Sequence, residues 1–165
     1  MKFLADAMLG KLTRWLRMVG QDVEYFKTLS DSKLLEIAKQ EKRCLLTKDL
    51  DLYRHAFSKG INAFYLESRT ESETLSELSK KYRLKLVVNM SKSRCPLCNS
   101  KIKQQPKEMI VNQLKKNTFT YYDKFWRCLN CGQIYWQGTH WEKIRKTIKE
   151  ANPKLKREEK NYCLR

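Results

Sequence analysis

Two cysteine pairs in the C-terminal half, Cys95-Pro96-Leu97-Cys98 and Cys128-Leu129-Asn130-Cys131, stand 29 residues apart. Two such turns can close four thiolates around one Zn²⁺ ion, because each is short enough for both of its sulfurs to reach the same metal. Gly132 supplies a turn residue directly after the second pair. Disulfides are the competing use of the four thiols, but they belong to oxidising compartments and would leave Cys44 and Cys163 unpaired; a redox motif would need only one pair. A site closed by four thiolates has no open coordination position, so the zinc would be structural and any reaction must take place elsewhere.

Carboxylates offer that second chemistry. Asp6 ends a short apolar run, Asp49 ends Leu45-Leu46-Thr47-Lys48-Asp49, Asp51 follows two residues on, and Asp31 opens a helical stretch. If the two runs are neighbouring parallel strands, Asp6 and Asp49 converge at their carboxyl ends, where open α/β sheets place ligands. An oxygen-only cluster of this kind suits Mg²⁺ or Mn²⁺, ions that activate water and stabilise the leaving oxygen in phosphodiester cleavage. The competing assignments are a helix N-cap for Asp31, and a cap and a surface charge for Asp49 and Asp51. His55 and His140 lie near no nucleophile motif, so a Ser or Cys triad is not expected, and no glycine-rich phosphate loop is present.

The elements that must position these groups alternate strand and helix over the first 90 residues. Strand patterns cover 2–5, 22–26, 43–47 and 61–66, with 84–88 as a further candidate. Helical patterns cover 10–19, closed by Gly20, then 32–42, 50–58, and a stretch opened by the capping box Thr70 to Glu73. Alternation of this kind implies an α/β domain with a parallel sheet covered on both faces. Periodicity stops around 89–94, which divides the chain into an α/β domain at 1–90, a cysteine-organised zinc ribbon at 91–141, and a basic helical segment and tail at 142–165. On the helix over 10–19, Leu12, Trp15, Leu16 and Val19 share one face, and Lys11, Arg14 and Arg17 the opposite one, where they are expected to bind RNA phosphates over the acids, an ordinary solvated face being the alternative.

The chain carries 35 Lys and Arg against 18 Asp and Glu, a net charge of +17. Residues 91–165 contribute 18 basic and 6 acidic side chains of these. Such an excess points to a polyanionic partner, and its placement puts the grip in the C-terminal half. Aromatics are interleaved with cations there: Lys115, Lys116, Tyr121, Lys124, Arg127, Trp136 and Trp141, followed by Lys143, Arg145 and Lys146. That mixture suits stacking on unpaired bases and holding their phosphates, so the expected partner is RNA, alone or in a ribonucleoprotein assembly. About half of the rings are expected to serve the ribbon's own core, Trp126 and Tyr135 first among them. No apolar run approaches the roughly 18 residues of a membrane span, and the opening residues are too soon charged for a secretory segment; the expected location is the cytoplasm.

Phe3-Leu4-Ala5-Asp6, Leu9-Gly10-Lys11-Leu12-x-Arg14-Trp15-Leu16-Arg17-x-x-Gly20-x-Asp22 and Leu45-Leu46-Thr47-Lys48-Asp49 resemble the Mut-seven C-terminal RNase family. The resemblance continues through Arg94-Cys95-Pro96-x-Cys98-Asn99, Phe125-Trp126-x-Cys128-x-x-Cys131-Gly132 and Tyr135-Trp136-x-Gly138-x-His140-Trp141, which look like that family's appended zinc ribbon. It implies a PIN-like three-layer α/β/α domain with metal-dependent ribonuclease activity, in which Asp6 and Asp49 match the acidic positions. Asp31 matches the acid of the related Ser-Asp-x-x-x-Leu-x-x-Ala pattern, while Asp51 has no clear counterpart. The expected function is a metal-dependent endoribonuclease with RNA bound through the ribbon. The alternative is a non-catalytic RNA-binding or ribosome-associated protein, because PIN-like domains include members that bind without cutting.

Overall fold

The computed structural model describes residues 1–152; the charged tail expected from Lys154 onward lies outside the described residues. Strands β1 (Lys2–Ala5), β2 (Asp22–Tyr25), β3 (Cys44–Thr47) and β4 (Ala63–Tyr65) form a parallel sheet in the order β2-β1-β3-β4. Side chains alternate across it with the period of two that a strand imposes. Phe3, Ala5, Cys44 and Leu46 enter one core with Leu12 and Leu16 of α1 (Gly10–Met18) and Leu75 and Leu78 of α4 (Glu71–Tyr82). Leu4 and Leu45 enter the other with Leu34 and Leu35 of α2 (Asp31–Gln40) and Leu52 of α3 (Leu50–Ser58). Helices therefore cover both faces, which is why β1 and β3 read as continuous apolar runs. The expected capping box at the start of α4 is present, with Thr70 Oγ1 accepting from the Glu73 amide and the Glu73 carboxylate accepting from the Thr70 amide.

One expected strand is absent. Residues 84–88 join no sheet. Leu84 and Leu86 are buried in the core beside α4, so their alternation records packing without pairing. Arg83, at φ 54°, turns the chain as it leaves α4.

Beyond this crossing the chain forms a second, antiparallel sheet of β5 (Ile102–Gln105), β6 (Phe125–Cys128) and β7 (Ile134–Trp136). Helix α5 (Lys116–Tyr121) lies in the β5–β6 connection, and α6 (Trp141–Ala151) follows β7. Two small cores hold this module: Met90, Cys95, Ile102, Trp126 and Cys128 form one, and Ile110, Phe125 and Ile134 the other. Tyr135 and Trp141 pack against the first and Tyr122 and Trp136 against the second, each only partly buried. Helix α6 then returns to the N-terminal unit, where Ile148 and Ala151 join the core containing Phe3 and Leu16.

The two units are joined through the first cysteine turn. Arg17, expected with Lys11 and Arg14 as a binder of RNA phosphates, is only 4% exposed and does not face a bound strand. Its Nε and Nη2 donate to the Val23 carbonyl at 2.9 and 2.7 Å, and its Nη1 donates to the carbonyls of Pro96 and Leu97, both at 3.0 Å. The correction has a simple physical source: α1 is covered on two sides, by the sheet and by the cysteine turn, so a wheel drawn with one apolar face misassigns Arg17. A buried guanidinium requires every donor to be matched, and here carbonyl oxygens from both units match them. Replacing Arg17 with Leu is expected to destabilise the fold by about 3 kcal/mol. Arg17→Lys should recover little of this, because one ammonium cannot span Val23 and the Pro96–Leu97 turn together. Urea unfolding of the three proteins measures both effects.

Asn99, directly after Cys98, completes the joint. It sits in the left-handed region at φ 65°. Its Oδ1 accepts from the Val23 amide at 3.1 Å, and its Nδ2 donates to Asp22 and Glu24, both at 2.9 Å. The outer edge of β2 is thereby covered by a side chain, which blunts an otherwise open strand edge. Arg43, with a side chain 7% exposed, donates to Asp22 at 2.8 Å, to Glu41 at 2.6 Å and to the Phe3 carbonyl at 3.2 Å. Arg94 adds a second cation 3.5 Å from Asp22. Burial opposes ionisation of Asp22, but hydrogen bonds from Arg43 and Asn99 and the charges of Arg43 and Arg94 outweigh it and hold its pKa below the ordinary carboxylate value.

Candidate active site and metal centre

The strand order β2-β1-β3-β4 reverses direction between β1 and β3, and this switch point is where a crevice opens at the carboxyl ends of the strands. Ala5 pairs with Leu46, so the next residue of each strand, Asp6 and Thr47, face one another across the crevice. Asp6 is 9% exposed. Its Oδ1 accepts from the Ala7 amide at 2.5 Å, and its Oδ2 accepts from the Thr47 hydroxyl at 2.7 Å. The same hydroxyl accepts from the Asp49 amide at 2.9 Å. Thr47 thus links the two acids that the sequence singles out, a role its β-branched side chain alone does not announce.

Asp49 is exposed and caps α3, with Oδ1 accepting from the amides of Asp51 and Leu52 at 2.8 and 3.0 Å. Asp51 stands outside this arrangement: its side chain is 92% exposed and pairs with Arg54 at 3.4 Å one helical turn on. Asp31 is exposed in the first turn of α2, whose N-cap is Ser30, so Asp31 is not the cap its position suggested. Among the described residues, the grouping of three or more His, Cys, Asp or Glu side chains able to hold a metal ion is the cysteine one; Asp6, Asp31, Asp49 and Asp51 do not form another.

Because Thr47 is fully buried and its hydroxyl both donates and accepts, Thr47→Val removes the link at nearly constant volume. The loss of a partner for Asp6 Oδ2 should cost about 1–3 kcal/mol. Urea unfolding reads this directly.

A cleft of about 640 Å³ runs beside the crevice, lined by Lys11, Arg14, Tyr25, Lys27, Pro96 and Leu97 among others. The Tyr25 hydroxyl donates to the Ala7 carbonyl at 2.9 Å and closes on Gly10, where an added Cβ would stand 2.8 Å from that oxygen. Lys11 and Arg14 are exposed as expected, with Lys11 2.6 Å from Glu71. The cleft lies between the start of α1, Tyr25 and the first cysteine turn.

At that turn the four cysteine sulfurs lie within 4.8 Å of one another. Cys95 and Cys131 approach to 3.6 Å, and Cys98 and Cys128 to 3.3 Å. These spacings exceed a disulfide bond of about 2.05 Å and approach the roughly 3.8 Å edge of a tetrahedron with zinc–sulfur bonds of about 2.3 Å. Thiol chemistry points the same way. Burial opposes ionisation of Cys98, but the Ser100 amide and the neighbouring thiols overcome it and bring its pKa down to about 6. At Cys131 the Gln133 amide favours the thiolate, yet burial and the other three sulfurs push its pKa up to about 12. A cluster that carries one negative charge readily and resists the next calls for a cation. The Asn130 amide donates to Cys128 Sγ at 3.4 Å, and the Tyr135 hydroxyl lies 3.0 Å from Cys95 Sγ, so donors around the sulfurs support the thiolates.

The cationic candidates of the module are spread over its surface. Lys115, Lys116, Lys124, Lys143, Arg145 and Lys146 are exposed, and Arg127 is half-buried in β6. Tyr121 is 78% exposed. Trp136 and Trp141 combine partial burial with exposed ring area, so each is at once a packing residue and a surface.

The fold is thus an α/β one with a parallel four-stranded sheet and four cysteines close enough together to hold a metal ion. The family model described as the Mut7-C RNAse domain matches residues 1–148, and the chain belongs to this family. The match spans the parallel sheet, the cysteine module and most of α6. Searches of curated proteins and of solved structures found no match. No helix among the described residues is long and apolar enough to cross a membrane.

Proposed function

We propose that the chain is a metal-dependent endoribonuclease, with a PIN-like domain that cleaves RNA and an appended zinc ribbon that holds it. The observation that carries this reading is Asp6: a buried carboxylate at the switch point, bonded to Thr47, whose hydroxyl in turn accepts from the backbone amide of Asp49 at the end of the neighbouring strand. Asp6 and Asp49 would hold Mg²⁺ or Mn²⁺, with Asp31 and Asp51 as further carboxylates of the same sheet end. A cation bound there supplies an activated water and charge stabilisation for the leaving oxygen.

The remaining steps belong to the chain itself. Lys11 and Arg14 border the cleft at the start of α1, and their charges would hold the phosphates on either side of the cut bond. Thr47 keeps Asp6 oriented by donating to it, which leaves the carboxylate's remaining lone pairs free. The ribbon, through Lys115, Lys116, Tyr121, Lys124, Arg127, Trp136, Trp141, Lys143, Arg145 and Lys146, would retain the RNA beyond the crevice. The family supports the ribonuclease class, and the net charge of +17 supports RNA as the polyanion.

One observation favours a second reading. Asp49 already caps α3, and the acids do not assemble into a three-ligand group, as would suit an RNA-binding component of a ribonucleoprotein that does not cut. Incubation of zinc-loaded protein with a mixed cellular RNA preparation, with Mg²⁺ or Mn²⁺ and without divalent ion, separates the two. Metal-dependent cleavage absent from the Asp6→Asn, Asp49→Asn double variant supports the nuclease. Binding without cleavage under every condition supports the second reading.

A further inference from the structure

A second cavity, of about 590 Å³, lies between the sheet of the cysteine module, α5, the start of α6 and the segment from Val88 to Pro96, with Met18 at the end of α1 also in its wall. Tyr121, Tyr122, Tyr135, Trp136 and Trp141 contribute to its wall, and Asn117, Gln133 and His140 add hydrogen-bonding groups. We propose that this cavity is a nucleobase pocket, which receives an unpaired base of the bound RNA at a distance from the acidic crevice.

Its construction suits a flat aromatic ligand with a charged backbone. Trp136 is held against the backbone of Gly138, where an added Cβ would come within 2.7 Å of the indole Nε1, so only glycine allows the ring this position. Phe125 meets the ring at a tilt of 55°, with centroids 6.5 Å apart. Tyr135 forms part of the wall while its hydroxyl lies against Cys95 Sγ, which ties the pocket to the metal centre. Tyr121 lines the cavity and leaves most of its ring in solvent, open to a ligand. Stacking on such rings holds any base by its face, and the amides and imidazole can meet its edge. Arg94 is in the lining, and the exposed Lys115, Lys116 and Lys143 neighbour the lining residues Asn117 and Ile144 in sequence. An apolar peptide would leave these charges unanswered, whereas the phosphates flanking a base would meet them.

The proposal rests on RNA as the partner, and its test separates the two. Full-length, zinc-loaded protein is titrated in the absence of Mg²⁺ and Mn²⁺ with a labelled short single-stranded RNA, and with the same strand lacking bases at its central positions. The wild type is expected to bind the intact strand about tenfold more tightly than the base-free one. Trp136→Leu and Tyr121→Ala should each lose about tenfold for the intact strand and little for the base-free one. Tyr121, being so exposed, reports without risk to the fold. Equal binding of both strands by the wild type, or undiminished binding by both variants, overturns the pocket while leaving RNA as the partner. Failure of the wild type to bind either strand overturns the RNA reading itself.

Discussion

Asp6→Asn is expected to lower metal-dependent RNA cleavage at least about a hundredfold, whereas Asp49→Asn lowers it less and costs stability as well. The asymmetry follows from what each carboxylate already does. Asp6 is buried, and both of its oxygens are held, by the Ala7 amide and the Thr47 hydroxyl. Asparagine fills the same volume and keeps an oxygen for Ala7, so the fold should survive while the negative charge at the centre of the crevice disappears. Asp49 is solvent-exposed and divided between the crevice and the first turn of α3. Its replacement by asparagine retains a good cap, so the stability loss should stay below about 1 kcal/mol. Initial cleavage rates at saturating Mg²⁺, together with urea unfolding of each variant, check both halves. Equal loss of rate in the two single variants would contradict the central position of Asp6.

Loss of the cysteine centre should have the larger structural effect. Cys98→Ser is expected to abolish stoichiometric zinc binding and to unfold the module, because the free energy of a structural zinc site, about 10–16 kcal/mol in isolated zinc modules, exceeds the stability of most small domains. The consequences should not stop there. Pro96 and Leu97 accept from Arg17, and Asn99 covers the Val23 amide at the edge of the parallel sheet. When the turn loosens, a buried guanidinium and a strand edge lose their partners together, so the α/β unit should melt at lower temperature as well. Metal analysis by mass spectrometry and a thermal melt followed by circular dichroism measure the two effects. A variant that loses zinc while the helical signal melts unchanged would show the units to be independent.

Much of this architecture could be read from residue order. The continuous apolar runs at Phe3-Leu4-Ala5 and Cys44-Leu45-Leu46, alternating with helical stretches, already implied a parallel sheet covered on both faces, and the cysteine spacing already implied convergence of four sulfurs. Asp6 and Asp49 were found from strand ends and the switch-point rule. Their coupling through Thr47 was not, since a threonine in a strand usually needs no explanation beyond its branching. The joint between the units was missed for a related reason. Arg17 and Asn99 act across about 80 residues of sequence, and local periodicity reports only which face of an element is apolar. In α6 the stripe Ile144, Ile148 and Ala151 was present at helical spacing, but the surrounding lysines and arginine drew the reading toward a solvated segment.

The return of α6 to the N-terminal core also sets an order of events for the folding chain. The helices that meet there, α4 and α6, are separated by residues 83–140, and closing so long a loop of flexible chain carries an entropic penalty that grows with its length. A module already gathered by its metal behaves as a much shorter tether. Zinc loading is therefore expected to lower the closure entropy of a contact that lies outside the four-cysteine cluster, and so to favour the docking of Ile148 and Ala151 onto the first core.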